Sequence, residues 1–155
     1  MRVMKQTFRN VIGIFFGIPF VLIGYDHFIS PEIYDPLVPD YMGSPRFWTI
    51  LSGIFEIILG LGIMIPFIRI YSAKLLAVLL IALYLANLNM WLNDIPFNGV
   101  KLSQIGHLIR FIIQVFLVFF CFWLAEINFK KFILKVMKKS SAEKDVPSTV
   151  GDRKS

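Results

Sequence analysis

Residues 47–67 read FWTILSGIFEIILGLGIMIPF, an apolar run whose only charge is Glu56. A helix rises about 1.5 Å per residue and a hydrocarbon core is about 30 Å thick, so about 20 such residues suffice to cross it. Working outward, three more stretches have that length and character, over about 11–28, 70–91 and 105–125. The first carries charge only at its far end, in Asp26-His27. The third has Lys74 close enough to one end to snorkel, and the fourth is interrupted by Arg110. The pattern predicts an all-α membrane protein, a bundle of four transmembrane helices whose solvent partner is the lipid bilayer.

Composition excludes the alternatives. Of 155 residues, 57% are hydrophobic and only 17% charged, with a mean hydropathy of +0.70. Soluble domains carry about 25% charged residues, and a small core cannot hide so much apolar surface. Disordered, collagen-like and disulfide-stapled classes fall for the same reason. The single cysteine, Cys121, has no internal partner and no C-x-x-C to run dithiol chemistry. A net charge of +6 raises nucleic-acid binding, but the basic residues cluster at membrane flanks. No nucleic acid is expected.

Orientation follows from lysine and arginine. Arg2, Lys5 and Arg9 precede the first span, Arg69 and Lys74 join the second to the third, and eight more follow the fourth. Thirteen of the 16 therefore lie on one side, and the positive-inside rule places both termini in the cytoplasm. The N-terminal run could be read as a signal peptide, but it ends in Tyr25-Asp26-His27-Phe28 with no small-x-small cleavage site. It is read as a retained helix. The 29–46 connection, outside, holds Pro31, Pro36, Pro39 and Pro45, a density that argues for a rigid loop without regular helix. Residues 1–137 form the transmembrane domain on this account, and the polar 138–155 segment is a disordered cytoplasmic tail.

Ionisable groups inside spans cost several kcal/mol unless paired or hydrated, so they mark the informative positions. Glu56 lies about 14 Å below Phe47 and Arg110 about 8 Å below Ile105 at helical rise. An arginine can bridge that difference, which makes Glu56–Arg110 the expected buried pair. His107, Arg110 and Gln114 share one helix face, and Ser52 and Glu56 share another. With Asn87 and His27 near the outer ends of their spans, the expected polar network or ligand pocket is His27, Glu56, Asn87, Arg110 and Gln114. The inner half offers only Lys74 and Glu126. Two explanations stand side by side: structural glue that sets helix register, or an outward pocket for a ligand, a quinone head group or a proton. A bis-histidine haem on His27 and His107 is the lesser option, and no spacing supports a metal. Gly13-x-x-x-Gly17, Gly53 and Gly60 are candidates for close helix approach.

Several of these residues also carry a resemblance. His27-Phe28-Ile29-Ser30-Pro31-Glu32-Ile33-Tyr34 with Val38-Pro39, then Ser52-Gly53-Ile54-Phe55-Glu56-Ile57 with Gly60, Pro66 and Arg69, resemble the first loop and second span of DoxX-like membrane proteins. Leu85-Ala86-Asn87-x-x-Met90 is similar to that family's Pro-Ala-Asn-x-x-Met, with Leu85 in place of the proline. Arg110 and Gln114 resemble its Arg-x-x-x-Gln. The resemblance, over about residues 10–125, implies a four-helix bundle in the bacterial inner (plasma) membrane. Some such relatives are subunits of quinone-linked oxidoreductases.

The functional expectation is an accessory membrane protein with a polar pocket in its outer half, its catalytic residues unknown and no cofactor required. The alternative is a membrane subunit of a quinone-linked oxidoreductase, with quinone as cofactor and a redox protein or a second copy of the chain as partner. Transport is weakened because four spans show no inverted repeat. Topology is directly testable: a reporter fused after Ser155 should be active only in the cytoplasm, and one inserted in the 36–42 loop only outside. Finding the tail outside would overturn the charge count.

Overall fold

The computed structural model describes residues 2–126 of the chain. These form five helices: α1 (Arg2–Ile29), α2 (Pro31–Tyr34), α3 (Pro45–Met64), α4 (Arg69–Leu92) and α5 (Gln104–Leu124). Four of them, all but the one-turn α2, are long and apolar enough to cross a membrane. The tail expected over 138–155, and the end of the domain expected to reach 137, lie outside the described residues.

Element boundaries differ from expectation, and α1 begins at Arg2 rather than near residue 11. The second span ends at Met64 rather than residue 67, because Pro66 disfavours helical backbone at Ile65, which is extended at φ −89° and ψ 114°. The proline-rich connection is not free of helix. Pro31 and Pro45 occupy first-turn positions of α2 and α3, where a missing N–H costs nothing, and two 3-10 turns lie between, over Asp35–Leu37 and Asp40–Met42.

The helices run up and down, so the 30–44 and 93–103 connections share one end, the loop end, and the α3–α4 turn lies at the other. Packing follows the order α1–α3–α4–α5. A core of Phe20, Leu59, Ile63, Leu76, Leu80, Cys121 and Leu124 fills the centre, and Phe16 meets Phe120 across α1 and α5 with ring centroids 4.6 Å apart.

The α1–α3 contact is the closest. A methyl built on Gly24 would stand 2.7 Å from the Gly53 carbonyl oxygen, and one on Gly53 would stand 2.8 Å from that of Gly24. Gly17 and Gly60 oppose one another in the same way one helical stretch further along. Between helices in lipid, where apolar burial supplies no net drive, such backbone proximity is a main source of association.

The end opposite the loops contains more polar structure than Lys74 and Glu126 alone. Arg69 is 2% exposed and caps α3: Nε donates to the Ile63 carbonyl at 2.8 Å, and Nη1 to Asn10 Oδ1 on α1 at 2.9 Å. It thereby satisfies carbonyls that a helix end leaves without partners. Arg9 pairs with Glu126 and donates to the Leu124 carbonyl at 2.9 Å, tying α1 to the end of α5. Valine at Gly17 or Gly60 should lower thermal stability in detergent by at least the 1–3 kcal/mol or so typical of overpacking. Valine at exposed Leu22 should change it far less; equal effects would refute the close-contact geometry.

Candidate functional site

Thr49, Ser52 and Glu56 stand at i, i+3 and i+7 on α3, which aligns them on one face. Gly53 lies among them, and its missing side chain admits α1: a methyl there would meet His27 Cβ at 2.8 Å. His27 therefore rests directly on the polar face of α3. Its Nδ1 lies 2.8 Å from the Ile23 carbonyl and 3.5 Å from Glu56 Oε2. A carbonyl only accepts, so Nδ1 carries the proton, and in the neutral ring Nε2 is left as an acceptor. Among the described residues nothing bonds to Nε2. Glu56 Oε2 and Thr49 Oγ1 are likewise buried without a hydrogen-bond partner. Glu56 and Thr49 are only 5% and 2% exposed, so theirs are enclosed, unmet polar atoms rather than wet ones, and His27, 6% exposed, presents its ring beside them.

A strap over residues 30–44 closes the loop end above them. The Tyr34 ring stacks on His27 at 3.8 Å between centroids, and its hydroxyl donates to Asp26 Oδ2 at 2.7 Å. Burial, reinforced by that hydrogen bond, holds the Tyr34 hydroxyl above its ordinary pKa. Asn89 on α4 donates to the Leu37 carbonyl at 3.1 Å. On α3, Trp48 donates to the Met42 carbonyl at 2.7 Å, and Arg46 pairs with Asp35 at 2.8 Å. Ties to three helices thus hold one irregular segment in place.

Beneath the strap is a cavity of about 230 Å³. Leu37, Met42, Leu51, Leu79, Leu83 and Ala86 make most of its wall, and His27, Thr49, Ser52 and Tyr34 supply its polar atoms. Apolar length with a few placed polar groups is the usual make-up of a small-molecule site. Ser52 spends its proton on the Thr49 carbonyl at 2.9 Å, so its hydroxyl is not held by a base. The chemistry on offer is recognition by hydrogen bonding.

The expected Glu56–Arg110 pair does not form. Arg110 donates to Asn87 Oδ1 and Met90 Sδ, each at 3.4 Å, and its guanidinium lies 5.0 Å from the centre of the Phe97 ring. The reason is helix order: α5 packs on α4, and α4 stands between it and α3. Gln114 also turns to α4, donating to the Leu80 carbonyl at 2.5 Å, and His107 stacks on Trp91. The five residues expected to form one network therefore divide. His27 and Glu56 belong to the α1–α3 site, while Asn87, Arg110 and Gln114 form a seam between α4 and α5.

Ring contacts join the two groups. Phe97 meets Tyr34 edge-on at 5.7 Å, so Arg110, Phe97, Tyr34, His27 and Glu56 follow one another in a column. His27 and His107 stack on different aromatic partners, which gives no support to a shared haem. Thr49 and Phe97 are site residues that sequence reasoning did not single out, and Tyr34 entered it only as part of the outer-loop motif. Of the first two, Thr49 left a signal, one helical face with Ser52 and Glu56.

The chain matches the profile of a family described as Domain of unknown function (DUF8561) over residues 16–125, a stretch that includes α3, α4 and every residue of the cavity. No curated protein and no solved structure matches it.

Separate partners imply separate energetics. In detergent unfolding, Glu56→Gln and Arg110→Leu should add to within about 0.5 kcal/mol, as residues without shared partners do. His27→Phe combined with Glu56→Gln should depart from additivity by more than that. Strong coupling between Glu56 and Arg110 would restore the direct pair.

Proposed function

The chain belongs to the DUF8561 family, and we propose that it is a DoxX-like accessory protein of the bacterial plasma membrane that binds a small, mostly apolar ligand in the cavity under the strap. With both termini in the cytoplasm, as the distribution of lysine and arginine indicates, the cavity lies in the outer half of the bilayer. One observation carries this: Thr49 Oγ1 on the cavity wall and Glu56 Oε2, 3.5 Å behind His27 Nδ1, are buried without hydrogen-bond partners, and His27 lines the same apolar space. Burying a polar group without a partner costs about 1–3 kcal/mol in proteins. A fold that had only to hold four helices together is better served by apolar side chains there. Structural glue describes the α4–α5 seam well, where Arg110 and Gln114 have partners. It does not describe the α1–α3 site.

A second reading, the membrane subunit of a quinone-linked oxidoreductase, draws on the same cavity, since an apolar pocket with a polar end inside a membrane suits a quinone ring. One experiment addresses both. The full-length protein and an Ala86→Phe variant, whose new ring fills the cavity, are purified from membranes, extracted with solvent and analysed by mass spectrometry. The wild-type protein should retain a small apolar compound that the variant lacks, with little change in thermal stability. A quinone, together with a co-purifying redox protein, would favour the second reading. Identical extracts from the two proteins would overturn ligand binding altogether.

A further inference from the structure

The polar end of the cavity is selective in a way that names a class of ligand. Three of its groups set the hydrogen bonding. The His27 Nδ1 proton is spent on the Ile23 carbonyl, so the ring has a lone pair to offer at Nε2. The Ser52 proton is spent on the Thr49 carbonyl, which leaves that hydroxyl an acceptor too. The Thr49 hydroxyl is without a partner and can take either role. The site is therefore rich in acceptors and asks for a donor.

Charge narrows the class further. Among the described residues no lysine or arginine lines the cavity: at this end Arg46 is engaged with Asp35, Arg110 with Asn87, Met90 and the Phe97 face, and Lys101 is exposed on the 93–103 connection. An anionic head group would find no lysine or arginine among the described residues of the cavity wall and would have the Glu56 carboxyl behind His27. A cationic one would have to reach Glu56, which does not line the cavity. The ligand is uncharged.

The route in is visible on the wall. The strap closes the loop end with its ties to α1, α3 and α4. On the flank between α3 and α4, cavity residues Phe55 and Leu85 are each 45% exposed, and Ala82 is exposed beside them. All three lie inside the candidate membrane spans, so this flank faces lipid. A solute entering here has already partitioned into the bilayer.

Resting on the ligand-binding reading above, we propose that the cavity takes an uncharged, hydroxyl-bearing apolar molecule, a phenol or a fatty alcohol in chemistry. It enters from the lipid between α3 and α4 and donates its hydroxyl proton to His27 Nε2, while the Thr49 hydroxyl accepts from or donates to the same oxygen. A site built to bond a hydroxyl rejects an analogue without one, because its own buried polar atoms then stay unmet.

The test uses the full-length protein in nanodiscs and bromine as a quencher of Trp48, which lines the cavity. Para-bromophenol and a terminally brominated decanol represent the aromatic and aliphatic sources of the hydroxyl. Their methyl ethers lack the donor, and para-bromobenzoate and para-bromobenzylamine carry the two charges. At least one alcohol should quench saturably, and bind about tenfold more tightly than its ether, the ratio that about 1.4 kcal/mol gives. That preference should collapse in His27→Phe and shrink in Thr49→Val, while Ala82→Phe should block saturable quenching by every probe. Which alcohol binds decides between the two sources. Equal affinity for alcohol and ether, tighter binding of either charged probe, or a preference that survives His27→Phe would overturn the inference while leaving a ligand site in place. Absence of saturable quenching by all probes would instead count against the ligand-binding reading beneath it.

Discussion

The fold depends on how closely the backbones of α1 and α3 approach. Where Gly24 meets Gly53, the carbonyl of each occupies the space a side chain on the other would need. That contact is made of main chain and dispersion rather than of apolar side chains, which in lipid have no reason to prefer one another to the surrounding tails. It also sets the site. Because Gly53 is bare, His27 lies on α3 within 3.5 Å of Glu56, and because His27 lies there, Tyr34 has a flat surface on which to stack. At the other end the same close packing carries Asn10 to Arg69.

The two ends of the bundle treat buried polar groups in opposite ways. Arg69 is almost completely enclosed, yet its donors reach carbonyls of α3 and the Asn10 side chain. A buried guanidinium with several well-placed acceptors is stable, and it closes a helix end that would otherwise leave carbonyls bare. At the loop end, Glu56 Oε2 and Thr49 Oγ1 lack partners although side chains surround them. The asymmetry is one of satisfied against unsatisfied groups, and Asp35 Oδ1 on the strap belongs with the second set.

Much of the architecture was legible in the sequence, and what was not has a geometric cause. Span length and hydropathy act along one helix axis, so the four crossing helices followed from apolar runs, and the depth of Glu56 and Arg110 from simple rise. Which neighbour a buried group finds depends instead on the order of helices around the bundle, which no single span encodes. Glu56 and Arg110 were matched by depth, but α4 separates their helices. Asn87, placed in the same network as Glu56, serves Arg110 instead. The role of Arg69 was hidden for a related reason: a cation at a membrane flank fits the positive-inside pattern whether it faces water or caps a helix. Gly53 and Gly60 fared better, because small residues one or two turns apart signal close approach whatever the partner.

The placement of Arg69 also bears on how the protein is made. Its acceptors, the carbonyls of Ile63 and Met64 and the Asn10 side chain, all precede it in the chain. The glycines that α1 and α3 present to each other precede it as well. When the ribosome has delivered the turn after α3, every component of the α1–α3 hairpin already exists, and the hairpin can close before α4 and α5 emerge. The second hairpin then docks on a finished surface, and only then, when Asn89 reaches the Leu37 carbonyl, is the strap fastened on its last side. The cavity waits on its α4 wall, which arrives after everything else that shapes it, and the α4–α5 seam is completed later still.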